Sequence, residues 1–169
     1  QLLQTVFIIF LVAIAVQGIY FTYFLVALLK KSTSEKTEAH PMSVIVCAHD
    51  EEQNLKELIP LLLNQQHPEF EIIIVNDRSN DGTYDFLLEE TAKYDRLRVV
   101  QVATTPDHVN CKKYAITLGI KAARYDWILL TDADCRPHSE FWIQSISEQC
   151  ISEKEIVLGY SPYQKEKGF

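Results

Sequence analysis

The chain has 169 residues, a formal net charge of −7 at pH 7 and a hydrophobic content of 47%. This length allows one modest domain, and the acidic balance argues against a nucleic-acid-binding protein, which normally presents a basic face. The four cysteines lie far apart without a C-x-x-C pair. They are therefore predicted to be thiols of a reducing compartment, and neither a disulfide framework nor a zinc site is expected.

An uncharged apolar run occupies residues 5–29. About 25 residues at roughly 1.5 Å each are enough to cross the roughly 30 Å hydrocarbon core of a bilayer. The run predicts one N-terminal transmembrane helix, with the buried core helix of a soluble protein as the alternative. A secretory signal peptide would have a shorter apolar core and basic residues before it. Here Lys30 and Lys31 follow the run, which predicts a single-pass anchor in the cell membrane with the following residues in the cytoplasm.

After a polar linker predicted at 30–41, the chain alternates short apolar runs with segments of helical periodicity. Strands are predicted at 42–47, 71–75, 97–102 and 127–131, with a fifth strand beginning at 156–158. Helices are predicted at 51–64, 84–91, 115–122 and 137–150. This alternation is typical of an α/β fold with a mostly parallel sheet, flanking helices and right-handed crossovers.

Polar clusters follow three of the predicted strands. They occupy residues 48–52, 76–79 and 132–134, and each contains at least one aspartate. Ligands of open α/β sheets bind beyond the carboxyl ends of the strands, so three acidic clusters on one rim predict a binding site. The sequence contains neither G-x-G-x-x-G nor G-x-x-x-x-G-K-[ST]. A phosphate would instead be held by a metal ion, by backbone amides and by Lys112 or Lys113.

The third cluster begins with Asp132 and Asp134, which directly follow an apolar run. An extended backbone directs these two side chains to the same side. Two carboxylates repel each other at close range, so both stay ionised only with water or a cation between them. Carboxylate oxygens suit Mg²⁺ or Mn²⁺, and Mg²⁺ is usually held by one or two carboxylates together with substrate phosphates. A lone Asp-x-Asp pair is more often a solvated turn, but the neighbouring clusters favour a metal site.

Taken together and in order, four motifs resemble those of the family 2 glycosyltransferases of the GT-A fold. They occupy residues 44–52, 73–83, 111–115 and 130–134. The resemblance covers roughly residues 42–160. It implies a Rossmann-like GT-A sheet and makes residues 42–169 the donor-binding half of a glycosyltransferase domain, with the chain ending after that half.

The resemblance also implies roles for the acids. Asp77 would bond the base of the nucleotide, and Asp132 would lie near the ribose. Asp134, with Asp132 as a second candidate, would carry Mn²⁺ or Mg²⁺ on the diphosphate of the donor.

Further substrate-binding candidates come from the same match. Ala48 and Asp50 would line the base pocket, and Lys112 matches the lysine of the family's Gly-Lys pair, with a solvated helix residue as its alternative. Glu52 is a further candidate, although it and Glu51 could equally be acids favoured at a helix N-terminus. Four residues depart from the usual pattern and leave the preferred base open: Asp50, Asn76, Arg78 and Cys111.

The implied function is the inverting, metal-dependent transfer of a sugar from a nucleotide-diphosphate sugar to a lipid-linked or saccharide acceptor. The reaction would occur at the cytoplasmic membrane face, as in the synthesis of cell-envelope polysaccharides. Inverting transfer needs a general base, which is expected beyond Phe169. One alternative is a non-catalytic nucleotide-sugar-binding or truncated module. A nucleotidyltransferase is a weaker alternative, because its loop after the first strand would be glycine-rich and basic.

Overall fold

The computed structural model describes residues 1–29, 38–150 and 155–159. The chain divides into two compact units, Gln1–Glu35 and Lys36–Phe169. Most of the predicted linker, residues 30–37, lies outside the described residues.

In the first unit, helix α1 (Leu2–Leu29) begins three residues before the predicted span. Its segment Leu2–Ala27 has a mean hydropathy of 2.4 and is long and apolar enough to cross a membrane. None of that segment is buried within the part of the chain that the structure describes.

The second unit is built on a parallel sheet. Its described strands are β1 (Met42–Ala48), β2 (Phe70–Asp77), β3 (Leu97–Val102) and β4 (Trp127–Asp132). They are ordered β3-β2-β1-β4, and every neighbouring pair is parallel. The connecting helices are α2 (Glu52–Leu63), α3 (Thr83–Thr91), α4 (Cys111–Ala122) and α5 (Trp142–Ser147). The predicted α/β fold class is therefore confirmed.

The central strands β1 and β2 are almost entirely buried because helices cover both faces of the sheet. One face packs against α2, α3 and α5, whose buried side chains include Leu58, Leu87 and Ile143. The other face packs against α4. A Cβ atom on Gly119 would lie 2.6 Å from Ile45 Cγ2, so glycine allows α4 to approach the sheet this closely. This close packing holds the first turn of α4 near the carboxyl ends of the strands.

Two predicted elements differ from the structure. The helix predicted at 137–150 is only six residues long, because the residues before it form turns in which the Ser139 hydroxyl accepts a hydrogen bond from the Phe141 amide. The prediction of a strand at 156–158 is wrong, since residues 156–159 contain no strand. Ile156 and Leu158 are 76% and 91% exposed, and apolar residues alone do not form a strand without a partner in the ladder.

A buried carboxylate holds the amino-terminal ends of three strands together. Glu71 is 3% exposed and accepts hydrogen bonds from the Ser43 hydroxyl at 2.8 Å, Arg98 Nη1 at 3.0 Å and the Arg124 amide at 2.6 Å. Burial by itself would raise the pKa of Glu71. The hydrogen bonds and the positive charge of Arg98 outweigh burial, so the pKa is lowered from its ordinary value.

We expect Glu71→Gln to lower the free energy of unfolding at neutral pH by about 1–3 kcal/mol, because buried partners lose a charged acceptor. A lowered carboxylate pKa stabilises the fold above the ordinary value of 4.5, and that contribution is lost as the pH falls through the folded-state pKa. The variant should therefore lose stability less steeply in acid. Urea unfolding of the full chain in detergent micelles, across the acid range, measures both effects.

Glu89→Gln is the matched control, since Glu89 is an exposed residue of α3. It should retain the acid dependence of the wild type. An unchanged acid dependence in Glu71→Gln would show that the buried carboxylate does not carry this stability.

Candidate functional site

A cleft of about 290 Å³ opens at the carboxyl ends of β1, β2 and β4. Its lining residues are Cys47, Ala48, His49, Glu51, Asp77, Lys112, Ala115, Asp132, Ala133 and Asp134. The surface of α1 around Gly18, by contrast, is open and mainly apolar. The chemistry of the described residues is concentrated in the cleft.

Strand register explains why residues distant in sequence meet in the cleft. Ala48 at the end of β1 pairs with Asn76 of β2, the residue before Asp77. On the other side of β1, Cys47 pairs with Asp132 of β4. Parallel strands end on the same side of a sheet, so the predicted clusters after β1, β2 and β4 all reach this edge. The structure thus brings together five of the seven candidates: Ala48, Asp77, Lys112, Asp132 and Asp134.

The cleft has an excess of negative charge. Glu51, Asp77, Asp132 and Asp134 contribute four carboxylates, whereas Lys112 is the one permanent cation among the described residues that line it. With these groups ionised and His49 neutral, the lining carries a net charge of −3, since four negative charges meet one positive charge. Like charges this close disfavour one another unless a cation or water separates them.

Lys112 partly relieves this repulsion. Its Nζ atom donates a hydrogen bond to Asp132 Oδ1 at 2.8 Å. The hydrogen bond and the charge of Asp132 raise the pKa of Lys112, so the amine is protonated at neutral pH. The two side chains are 63% and 56% exposed, however, so water screens the ion pair and a competing anion could replace Asp132.

Asp77 lies at the floor of the cleft, 7% exposed. Its Oδ1 atom accepts a hydrogen bond from Arg78 Nε at 2.8 Å. Arg78 adopts φ 55°, a left-handed conformation that is unusual for a side chain of this size. The carbonyl oxygen of Asp77 also contacts His49 Nδ1. A carbonyl can only accept, so Nδ1 carries the hydrogen and Nε2 is the acceptor when the ring is neutral.

Asp50 belongs to a contact between two loops. Its Oδ1 atom accepts a hydrogen bond from the Asn80 amide at 2.6 Å, and its own amide donates to Ser79 Oγ at 2.9 Å. Asp81 strengthens this contact, because its carboxylate accepts from the amides of Glu52 and Thr83 at the starts of α2 and α3. Asp50 is thus outside the cleft lining, and its predicted contact with substrate stays a prediction.

Glu52 also lies outside the cleft lining. Its carboxylate accepts a hydrogen bond from Lys56 at 2.6 Å, one turn along α2. A Cβ atom on Gly82 would come within 2.5 Å of Glu52 Oε2, so glycine leaves room for this acid. The predicted substrate-binding role of Glu52 remains untested.

Glu51 is the acid that faces the cleft instead, and the sequence did not distinguish it from Glu52. Its Oε2 atom accepts a hydrogen bond from Asn54 Nδ2 at 2.6 Å. Which of two adjacent acids faces the cleft depends on the exact start of α2. Here Thr83 Oγ1 accepts a hydrogen bond from the Glu51 amide, a tertiary contact that periodicity alone does not reveal.

The carboxylates of the cleft suit a metal ion that is also bound by a substrate. Within residues 1–29, 38–150 and 155–159, no three His, Cys, Asp or Glu side chains are grouped closely enough to hold a metal by themselves. Asp132 and Asp134 nevertheless offer two carboxylates on the cleft. That number fits an Mg²⁺ or Mn²⁺ ion whose remaining ligands are water and phosphate oxygens.

The sheet, its strand order and the cleft at its carboxyl edge define an open α/β fold with a candidate binding site where such folds bind ligands. Residues 43–169 match the model of glycosyl transferase family 2. The chain belongs to this family, which confirms the family predicted from the motifs.

Individual relatives agree with this assignment. The probable glycosyltransferase YdaM of Bacillus subtilis is 33% identical over 102 residues, which cover 59% of this chain and 24% of YdaM. A poly-beta-1,6-N-acetyl-D-glucosamine synthase of Staphylococcus epidermidis is 29% identical over 101 residues, covering 60% of this chain and 23% of the synthase. The chain therefore spans about a quarter of the length of these relatives.

A solved structure supports the fold over a longer stretch. The mannosyltransferase PcManGT of Pyrobaculum calidifontis, in complex with GDP-Man and Mn²⁺, aligns with a TM-score of 0.63. The alignment covers 83% of this chain and 44% of that protein, at 21% identity. At this identity the likeness establishes the shared fold.

The cleft makes a prediction about thiol reactivity. Burial raises the pKa of Cys47 to about 11; Lys112 opposes the rise, and Asp132 and Asp77 add to it. At pH 8 only about one Cys47 side chain in a thousand would be the reactive thiolate. We expect iodoacetamide to alkylate the exposed Cys111 at least about tenfold faster than Cys47, as measured by peptide mass spectrometry.

Raising the pH towards 11 should accelerate the labelling of Cys47, and Cys47→Ser should remove only that slow modification. Equal rates for Cys47 and Cys111 at pH 8 would contradict the protonated, half-buried thiol described here.

Proposed function

We propose that the cleft binds the nucleoside diphosphate of a sugar donor together with Mn²⁺ or Mg²⁺. The whole protein would then transfer the sugar to an acceptor, as expected for its family. The observation that supports this proposal most strongly is the arrangement of Asp77, Asp132 and Asp134 around one cleft whose charge is negative.

Charge makes the cation necessary. A nucleoside diphosphate is itself a multiple anion, and the four carboxylates of the cleft would repel it. Lys112, which already pairs with Asp132, and Arg78, which pairs with Asp77 from outside the cleft lining, offset only two of the four carboxylates. A divalent cation held by the aspartates of the cleft would offset this repulsion and would be the largest local charge in the site.

The resemblance to the family implies a division of roles among the side chains of the cleft. Asp77, at the floor of the cleft, would accept a hydrogen bond from the base, and Asp132 would lie near the ribose. Asp134 would hold the metal ion, with Asp132 as a possible second ligand. Lys112 would exchange its partner Asp132 for a phosphate oxygen when the donor binds. The metal ion, when bound, supplies stabilisation of the negative charge that develops on the departing diphosphate.

The acceptor and the cellular setting belong to the same proposal. Helix α1 would anchor the protein, and Lys30 and Lys31 after it favour a cytoplasmic second unit. A membrane-bound enzyme in this setting is suited to a lipid-linked or saccharide acceptor. The name of the Staphylococcus epidermidis relative, a synthase of a polysaccharide, supports a saccharide acceptor. An inverting mechanism would require a general base that deprotonates the acceptor hydroxyl.

Titration calorimetry of the full chain in detergent micelles tests donor binding. UDP or GDP should bind more tightly with Mn²⁺ than without it. Asp134→Asn should abolish this gain. Asp77→Asn should weaken binding about 10–100-fold both with and without metal, because a charge-assisted hydrogen bond contributes about 1.5–3 kcal/mol.

Asp95→Asn is the matched control, since Asp95 is exposed in the turn before β3, at the opposite end of that strand from the cleft. It should bind nucleotide and metal as the wild type does. Binding of UDP and GDP that is equally tight with and without Mn²⁺ in the wild-type chain would refute the metal-dependent function.

A further inference from the structure

Arg136, two residues after Asp134, joins the turn after β4 to α2. This turn contains Asp132 and Asp134 and is called the acidic turn below. Its guanidinium donates to the carbonyl oxygens of Ala133 and Cys135, each at 2.9 Å. It also donates to Asn54 Oδ1 at 2.8 Å and to Glu57 Oε2 at 2.9 Å, both on α2. Its side chain is only 24% exposed, although Arg136 lies in the irregular segment between β4 and α5.

The two carbonyl groups lie on either side of Asp134. Fixing both fixes the backbone from which the Asp134 side chain projects into the cleft. The same turn is closed by a hydrogen bond of 3.2 Å from the Cys135 amide to the Asp132 carbonyl. Ala133 is 3% exposed, so the start of the turn is anchored in the core. Arg136 therefore acts on the orientation of Asp134 without entering the cleft lining.

The other end of the contact is rigid. Helix α2 is held by four buried side chains, Leu55, Leu58, Ile59 and Leu62. Asn54 accepts one hydrogen bond from Arg136 and donates another to Glu51, an acid that also lines the cleft. The guanidinium thus connects two acids of the cleft through α2. A planar fork can satisfy all these acceptors at once, whereas the ammonium group of lysine cannot.

The ion pair with Glu57 is the less important part of this arrangement. Glu57 is 71% exposed, and exposed ion pairs contribute little because water screens them. The hydrogen bonds to the backbone carbonyls lie on the covered side of the guanidinium and have no such competition. Their loss would leave the turn with fewer constraints.

We propose that Arg136 is a positioning residue that holds Asp134 in the orientation needed to bind the divalent cation of the donor complex. This inference rests on the metal-dependent donor binding proposed above. Residues that orient metal ligands typically change metal affinity 10–100-fold when they are replaced.

Arg136→Lys keeps the positive charge but loses the planar guanidinium group and its several hydrogen-bond donors. In the full chain in detergent micelles, with UDP present, we expect it to lower the Mn²⁺ affinity about 10–100-fold while metal-free UDP affinity changes by less than about twofold. Electron paramagnetic resonance of free Mn²⁺ measures the first quantity, and calorimetry measures the second. A general loss of folding would lower both affinities, so the difference between them identifies positioning.

Two further variants sharpen the test. Arg96→Lys is the matched control, since Arg96 packs over the ring of Phe70, at the opposite end of the sheet from the cleft. It should leave both affinities unchanged. Glu57→Gln removes the exposed ion pair but keeps the carbonyl contacts, so we expect less than about a threefold loss of Mn²⁺ affinity.

Amide hydrogen exchange separates this inference from the proposed function. Arg136→Lys should accelerate exchange at the Cys135 amide, and Arg96→Lys should not. Unchanged exchange at Cys135 would overturn the positioning role whatever the metal results. Mn²⁺ affinity equal to that of the wild type, or an equal fall in metal-free UDP affinity, would also overturn it. A wild-type chain whose UDP affinity does not depend on Mn²⁺ would instead refute the proposed function, and with it the role of Arg136 towards a metal.

Discussion

Electrostatic repulsion at the carboxyl edge of the sheet is the constraint on which the site depends. Parallel pairing of β1 with both β2 and β4 brings acids from distant parts of the sequence to one cleft. Lys112 neutralises only part of their charge, through a pair with Asp132 that water can screen. By its own charge this edge is therefore a poor place for a phosphate and a good place for a cation. A ligand that brings a divalent ion with its phosphates satisfies both requirements at once.

Hydrogen bonds hold the loops around this cleft, together with the core packing of Ala133. Asp50 and Arg78 both have positive φ angles, which are costly for residues other than glycine. The reciprocal contacts between the β1–α2 and β2–α3 loops, with Asp81 capping the starts of both helices, offset that cost. Arg136 stabilises the turn after β4 in the same way, through its hydrogen bonds to two backbone carbonyls. Rigid supports of this kind keep acids close together that would otherwise move apart.

Local signals in the sequence were sufficient for most of the fold. The apolar runs of β1 and β2 predict strands buried on both faces, and the spacing of Leu55, Leu58 and Leu62 predicts α2. The positions of Asp77, Asp132 and Asp134 at strand ends followed from the same pattern. The buried carboxylate of Glu71 could not be predicted, because its partners come from β1, β3 and the loop before β4.

Other details that periodicity does not determine have the same origin. Glu51 and Glu52 differ only by one position, and tertiary hydrogen bonds decide which of them faces the cleft. The short α5 and residues 156–159, which form no strand, show that apolar periodicity indicates only which secondary structure a segment prefers. Packing against neighbouring elements decides whether that structure forms and how long it is. Arg136 gave no signal as a sequence position, since its role is visible only in its hydrogen bonds to the turn after β4 and to α2.

The most direct test of the charge-based account is the thermodynamic coupling between cation and nucleotide. Free Mn²⁺ can be followed by electron paramagnetic resonance as the full chain in micelles is titrated without and with saturating UDP. The account predicts weak Mn²⁺ binding to the cleft alone and at least about tenfold tighter binding with UDP, a coupling that must be reciprocal. After correction for the Mn²⁺ bound by free UDP, identical Mn²⁺ affinities in the two titrations would contradict it.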